Sequence, residues 1–119
     1  MRVAATVLVL LFLLGCDPGV PVPPLCRAAR DGDTARIAEL VRSGADVNER
    51  GGVNDWTALM HAVHKNQPKA VLALIDAGAD VNAKAGAQSR TTALRLAEVQ
   101  GLGNISAILR EHGARRGPE

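Results

Sequence analysis

His61 and His64 are the residues best suited to bind a metal, because a helix places residues three apart on one face. A metal site takes three or four protein ligands of the His, Cys or carboxylate type. The sequence offers no cysteine pair, third histidine or acidic residue at ligand spacing from this pair, and His112 lies far along the chain. We therefore predict no metal site.

Catalytic chemistry is also poorly represented in the sequence. It shows no Ser/His/Asp constellation, no phosphate-binding glycine loop and no pair of carboxylates at catalytic spacing. Gly44, Gly78 and Gly113 each follow an apolar helical pattern, so we interpret them as helix terminators and not as parts of a nucleotide loop. We predict that the chain is not an enzyme, and we find no sign of a cofactor or a small-molecule substrate.

The length and composition allow one domain and exclude several classes of partner. The chain has 119 residues, and its aromatic residues, Phe12 and Trp56, make up 2% of them. So few aromatic residues provide almost no stacking platform for nucleic-acid bases, and they cannot build the aromatic core of a β-sandwich. The net charge of +2 gives no strong attraction for a polyanion. We predict no nucleic-acid partner.

The N-terminal residues have the layout of a secretory signal peptide. Arg2 supplies a positive charge, an apolar run follows over Val3–Leu14, and the small residue Gly15 stands just before Cys16. A helix over this apolar run would extend about 18 Å, which is short of the ~30 Å hydrocarbon core of a bilayer. We predict a signal peptide over residues 1–15 and no permanent transmembrane anchor.

The end of this segment, Leu13-Leu14-Gly15-Cys16, resembles the lipobox of bacterial lipoproteins. The resemblance implies that the thiol of Cys16 carries a diacylglyceryl group, that the peptide is cut just before it, and that the acylated Cys16 anchors the mature chain to a membrane. The alternative is an ordinary signal peptide in which Cys16 stands by chance. Asp17 resembles an inner-membrane retention signal, or it simply begins a polar linker.

Residues 16–24 are predicted to form a short tether. Four prolines stand between Asp17 and Pro24, and proline removes backbone donors and fixes φ, so this stretch favours an extended polyproline II conformation. Its last eight residues would span roughly 25 Å at about 3.1 Å per residue. The folded part would then lie close to the bilayer.

Three segments share one internal frame, at about residues 25–48, 57–82 and 92–114. In each, a leucine near the start stands 19 residues before a glycine near the end. The leucines are Leu25, Leu59 and Leu94, and the glycines are Gly44, Gly78 and Gly113. A constant interior with variable spacers indicates structural repeats whose insertions lie in the connecting loops.

Each repeat is predicted to hold two short helices separated by a break. Gly32, Asn66 and Gly101 stand at the breaks, because glycine and asparagine tolerate a left-handed backbone. Pro68 suits the first turn of the helix that follows. The second helices have apolar residues at positions i, i+3 and i+4, which indicates one buried face per repeat. These triplets are Ile37/Leu40/Val41, Val71/Leu74/Ile75 and Ile105/Ile108/Leu109.

The repeats are similar to ankyrin repeats. Thr57-Ala58-Leu59 and Thr92-Ala93-Leu94 resemble the opening motif of that family, and its closing signature, Gly-Ala-Asp-Val-Asn, is present twice in full. The first repeat lacks the opening motif, and the third closes on Gly113-Ala114-Arg115 instead. Over about residues 25–115 the resemblance implies an all-α fold, a short α-solenoid of three helix-turn-helix repeats, and it leaves residues 116–119 as a tail.

Ankyrin repeats in general bind proteins through their loop tips and their first helices, so the resemblance implies a protein partner. The residues that we expect to contact it are Trp56, Arg50, Asn54, Asp55, His64, Lys65 and Arg90. Tryptophan is a common hot-spot residue, although Trp56 has the alternative of packing on its own loop. For His64 and Lys65, as for Arg30 and Asp31 in the preceding repeat, the alternative is a solvated charged surface.

Cys26 is the only thiol that remains once Cys16 is lipidated. Its position in the repeat predicts a packed core residue, with a redox role or an intermolecular disulfide as the alternative. Taken together, the motifs predict a membrane-anchored lipoprotein with a non-catalytic protein-interaction module that faces the periplasm. The alternatives are an inhibitor or immunity-type protein that neutralises an enzyme, a structural envelope component, or a periplasmic enzyme.

Overall fold

Three pairs of α-helices follow one another along the chain. The computed structural model describes residues 22–52, 54–85 and 91–115. Within them the helices are α1 (Pro24–Asp31), α2 (Thr34–Arg42), α3 (Ala58–His64), α4 (Pro68–Asp76), α5 (Ala93–Val99) and α6 (Gly103–Glu111). A short hairpin joins the first two pairs, with β1 (Arg50–Gly51) antiparallel to β2 (Trp56–Thr57). The predicted short α-solenoid is confirmed, with this hairpin as its only β-structure among the described residues.

Several of the predictions concern other parts of the chain. The signal peptide (residues 1–15), the tether as far as residue 21 (with Cys16 and Asp17), Arg90 and the tail (residues 116–119) lie outside the described residues. The last residue of the predicted tether, Pro24, is the first residue of α1 and so belongs to the helix. Among the residues that are described, none belongs to a helix that is long and apolar enough to span a bilayer.

Threonine side chains start the first helices of the second and third pairs. Thr57 Oγ1 accepts a hydrogen bond from the Met60 N–H at 3.3 Å, and Thr92 Oγ1 accepts one from the Arg95 N–H at 3.2 Å. Each bond satisfies one of the backbone donors that a helix start leaves without an intrahelical partner. The first pair has no such threonine, and α1 begins instead with Pro24, whose missing N–H needs no partner there.

A left-handed residue separates the two helices of each pair, as the sequence predicts. Asn66 has a φ of 54°, and Gly32 and Gly101 have φ values of 74° and 72° at the equivalent positions. Pro68 then occupies the first turn of α4. The chain therefore reverses within a few residues, and the two helices of a pair lie against each other.

Successive pairs stack helix on helix. The first helices α1, α3 and α5 contact their neighbours in that order, and the second helices α2, α4 and α6 do the same. Small residues on the first helices, Ala29, Ala62 and Ala97, are fully buried, which allows the helices to approach closely. The larger buried side chains between the layers include Leu25, Ile37, Leu59, Met60, Leu74, Ile105 and Leu109. One continuous apolar core thus runs through all three repeats.

Candidate protein-interaction surface

Trp56 lies at the centre of the candidate surface, on β2 of the hairpin. Its ring meets the His61 ring edge-on, with 5.6 Å between centroids, and the His64 ring at a tilt, with 5.0 Å between centroids. Both histidines belong to α3, so Trp56 packs on its own repeat. The side chain is nevertheless only half-buried, and part of the indole stays accessible to a partner.

His61 connects α3 to the hairpin through a hydrogen bond. Its Nε2–H donates to the Gly51 carbonyl at 3.0 Å, so Nε2 carries a proton in this arrangement. Burial lowers the pKa of His61 below its ordinary value; the hydrogen bond to Gly51 opposes this change, and the charges of Arg30 and His64 add to it. The imidazole is therefore stabilised in its neutral form.

The hairpin tip is polar and exposed. Arg50 and Asp55 form an ion pair at 3.9 Å, and their side chains are 38% and 57% exposed. Asp55 has a φ of 52°, and its N–H donates to the Gly52 carbonyl at 3.2 Å, which closes the turn. Asn54 is exposed beside it. An exposed ion pair of this length adds little stability, so these side chains are free to change partners on binding.

The structure brings some of the predicted partner-binding residues together. Trp56 and His64 are in contact, and Arg50 pairs with Asp55. Lys65 is exposed and caps the C-terminal end of α3, next to His64. The predicted contact residue Arg90 has no described position and stays a prediction.

Sequence reasoning missed Val99, which is 79% exposed at the end of α5. Val99 occupies the position in the third repeat that Arg30 and His64 occupy in the first two. Its exposure distinguishes it from the buried apolar residues of the same helix, Ala93, Leu94 and Ala97. Aligning the three repeats position by position would have revealed it, because an apolar residue there replaces two polar ones.

One surface therefore runs across all three first helices. We call it the first-helix face, and it consists of Arg27, Arg30, His61, His64, Leu96 and Val99. These six are two equivalent positions in each repeat, and each is half-buried or exposed. Trp56 packs on the middle of this face through its contacts with both histidines.

Cys26 is fully buried on α1, as the sequence predicts. Its Sγ lies 3.6 Å from the Glu49 carbonyl oxygen and 3.9 Å from that of Trp56, at the distance of a weak thiol hydrogen bond. Burial, together with the negative charge of Glu49, raises the pKa of the thiol to about 12. A thiol that stays protonated is a poor nucleophile, so this environment is that of a structural cysteine.

The histidine pair on α3 has no third metal ligand beside it among the described residues. Nε2 of His61 donates to the Gly51 carbonyl, which leaves Nδ1 for any other contact. Within the part of the chain that the structure describes, no three His, Cys, Asp or Glu side chains are grouped closely enough to hold a metal ion.

Comparison with known proteins identifies the repeats. The family model for ankyrin repeats (three copies) matches residues 3–85 and 25–116. The chain belongs to the ankyrin-repeat family. The crystal structure of the human ASB11 ankyrin repeat domain is similar, with a TM-score of 0.71 and 28% sequence identity over 82% of this chain. The match spans 43% of that domain. A search of the curated proteins finds none that matches the chain significantly.

Membership of this family indicates the general type of function. Ankyrin repeats indicate a protein–protein interaction module, and the fold is typically a non-catalytic scaffold. The first-helix face and the hairpin are the parts of this chain where polar, aromatic and apolar side chains remain accessible together.

Proposed function

We propose that this protein is a bacterial lipoprotein that holds an ankyrin-repeat docking module at a membrane, facing the periplasm, and that it acts by binding a protein and not by catalysis. The observation that supports docking is the half-buried Trp56 packed against His61 and His64, with the exposed Val99 on the same face. Tryptophan is among the residues that contribute most to protein–protein affinity, and here its orientation is fixed before a partner arrives.

The anchor rests on the sequence around Cys16. A positive residue, an apolar run, a small residue and a cysteine follow one another in the order that lipoprotein processing requires. Several acyl chains on one residue exceed the two-signal threshold for stable membrane attachment. Asp17, directly after the modified position, supports retention at the inner membrane.

The position of Val22 connects the anchor to the docking surface. A Cβ atom added to Gly52 would lie 4.0 Å from Val22 Cγ2 and 3.3 Å from His61 Cε1, so the chain enters the fold beside the hairpin. Cys16 precedes Val22 by six residues, which reach about 20 Å when fully extended. A lipid on Cys16 would therefore hold the hairpin and the first-helix face near the membrane surface.

Membrane partition tests the anchor. The Cys16→Ser variant is expected to lose acylation by radiolabelled palmitate and to move from the membrane fraction to the soluble fraction of the periplasm. Cys26→Ser is the matched control, because it removes the buried thiol and leaves the lipobox unchanged. Equal membrane partition of Cys16→Ser and the unmodified chain would refute the lipoprotein assignment.

Site-specific cross-linking in the living cell tests docking. A photoreactive residue at position 64, beside Trp56, is expected to give a defined protein adduct, and the same residue at position 72 on α4 serves as the control. Adding Trp56→Ala should remove the adduct. Loss of activity of a captured enzyme would identify an inhibitor, and absence of any adduct specific to position 64 would contradict docking at this surface.

A further inference from the structure

We infer that the first-helix face binds an extended protein segment that has an acidic residue at one end and an apolar residue about five positions away. This inference rests on the proposed docking function and adds the chemistry and spacing of the partner. Three features of the face support it: a basic first repeat, an aromatic second repeat and an apolar third repeat.

The basic end is formed by Arg27 and Arg30 on α1. Arg30 is half-buried, and among the described residues no carboxylate forms an ion pair with its guanidinium. Its charge also reaches the neighbouring repeat, where it disfavours protonation of His61. A half-buried cation attracts an anion more strongly than a fully exposed one, because solvent screens it less, and a carboxylate matches its geometry. A basic partner residue is disfavoured here by the same charges.

The middle of the face is formed by Trp56 and His64. Their rings lie at a tilt, with 5.0 Å between centroids, and His64 is exposed. Rigid aromatic side chains of this kind provide a large contact area with a small loss of conformational entropy. An extended backbone can lie across such a surface with few demands on its side-chain sequence.

The apolar end is formed by Leu96 and Val99 on α5. Val99 is 79% exposed, which is twice the exposure of Leu72 (39%), the other large apolar side chain exposed among the described residues. Leu96 is half-buried one turn before Val99 and continues the same patch. Exposed apolar area of this kind gains free energy when an apolar side chain covers it.

The spacing of the repeats sets the spacing of the partner residues. Helix α1 packs on α3, and α3 packs on α5, so Arg30 and Val99 are two helix-to-helix steps apart. Neighbouring packed helices lie about 8–10 Å apart, which gives roughly 16–20 Å for the two steps. An extended segment rises about 3.3 Å per residue and covers this distance in about five or six residues. A ligand that matches this face has an acidic group at one end and an apolar group at the other. A protein segment can provide both, whereas a nucleic acid has no apolar end.

Selection from a random library tests the inference. The probe is a phage-displayed library of random 12-residue peptides, selected on the immobilised full chain. We expect enrichment of peptides in which Asp or Glu precedes or follows a large apolar residue at a separation of about five. Synthetic peptides from the selection can then be titrated by the fluorescence of Trp56, the one tryptophan of the chain.

Two pairs of variants assign the binding to this face. Arg30→Glu and Val99→Asp should each weaken the selected peptides by at least about tenfold. The matched controls make the same chemical changes on the exposed side of α4, as Lys69→Glu and Leu72→Asp, and should change affinity less than twofold. All four positions are exposed or half-buried, and circular dichroism and thermal unfolding of each variant verify the fold.

The outcomes separate this inference from the proposed function. Selected peptides that lack the pattern, or that bind all four variants equally, would overturn the inference and leave docking by another surface or chemistry intact. An unenriched library would also overturn it, while the cross-link at position 64 still decides docking independently. A tenfold loss with Lys69→Glu or Leu72→Asp would place the binding elsewhere on the molecule.

Discussion

Asn82 Oδ1 accepts a hydrogen bond from the backbone N–H of Arg115 at 2.8 Å, and Asn82 Nδ2 donates to the Gly113 carbonyl at 3.1 Å. Asn48 does the equivalent one repeat earlier, where its Oδ1 accepts from the Asp80 N–H at 2.7 Å. The closing asparagine of one repeat is therefore bonded to the backbone of the next. Because the bond uses the backbone N–H of residue 115, the third repeat retains it although Arg115 replaces the aspartate of the signature.

This relationship predicts that Asn82→Ala and Asn48→Ala each lower the free energy of unfolding by about 1 kcal/mol, the usual net contribution of a hydrogen bond. Urea unfolding followed by circular dichroism measures the change. Asn104→Ala on α6 is the control, because among the described residues this exposed asparagine bonds to no neighbouring repeat, and its effect should stay within about 0.5 kcal/mol. Equal effects of Asn82→Ala and Asn104→Ala would contradict the role of the inter-repeat bond.

Substitution of Gly32 by alanine is expected to destabilise the fold more than the same substitution of Gly101, its counterpart in the third repeat. Both have a left-handed φ, of 74° and 72°, so Ala at either position costs about 1–2 kcal/mol from backbone strain. At Gly32 the new Cβ would also collide with the amide of Gln67, which donates to the Arg30 carbonyl at 3.3 Å, whereas at Gly101 nothing lies within 4 Å. Gly32→Ala should therefore destabilise the fold by about 1 kcal/mol more than Gly101→Ala.

A double-mutant cycle measures how much the close approach of Gln67 to Gly32 adds to the cost of Gly32→Ala. In a Gln67→Ala background, Gly32→Ala and Gly101→Ala should cost the same, because the colliding amide is gone. Thermal or urea unfolding of the six chains supplies the comparison. An excess cost of Gly32→Ala that persists without the Gln67 side chain would show that another contact is responsible.

The sequence was sufficient to predict the repeat frame but not the surface that it presents. The breaks at Gly32 and Asn66 were predictable because a left-handed backbone restricts the residue types that fit there. The contact of Trp56 with His61 and His64 was not, because it depends on how the hairpin folds back on α3. Val99 was overlooked because periodicity assigns apolar residues to the core, whereas the polar Arg30 and His64 at the equivalent positions mark a place that stays accessible to solvent.

The environment of Cys26 predicts slow alkylation in the folded chain. With a pKa of about 12, roughly one thiol in ten thousand is ionised at pH 8, and the sulfur is fully buried. In the Cys16→Ser variant, iodoacetamide should modify Cys26 orders of magnitude faster in urea than in buffer. An exposed thiol introduced by Lys65→Cys is the positive control for reactivity in the folded state. Comparable rates for Cys26 in urea and in buffer would contradict its burial.

Because of His61, the folded chain is expected to lose stability as the pH falls below about 6.5. Burial lowers its pKa in the folded chain, so the unfolded chain takes up a proton first as the solution is acidified. The unfolded state then binds more protons than the folded one, and the free energy of unfolding decreases from the unfolded pKa down to the folded pKa. His61→Gln should flatten this part of the stability curve, measured by urea unfolding between pH 5 and about 8. The control is His112→Gln, which removes an exposed imidazole. If both variants flatten the stability curve equally, His61 is not the group responsible.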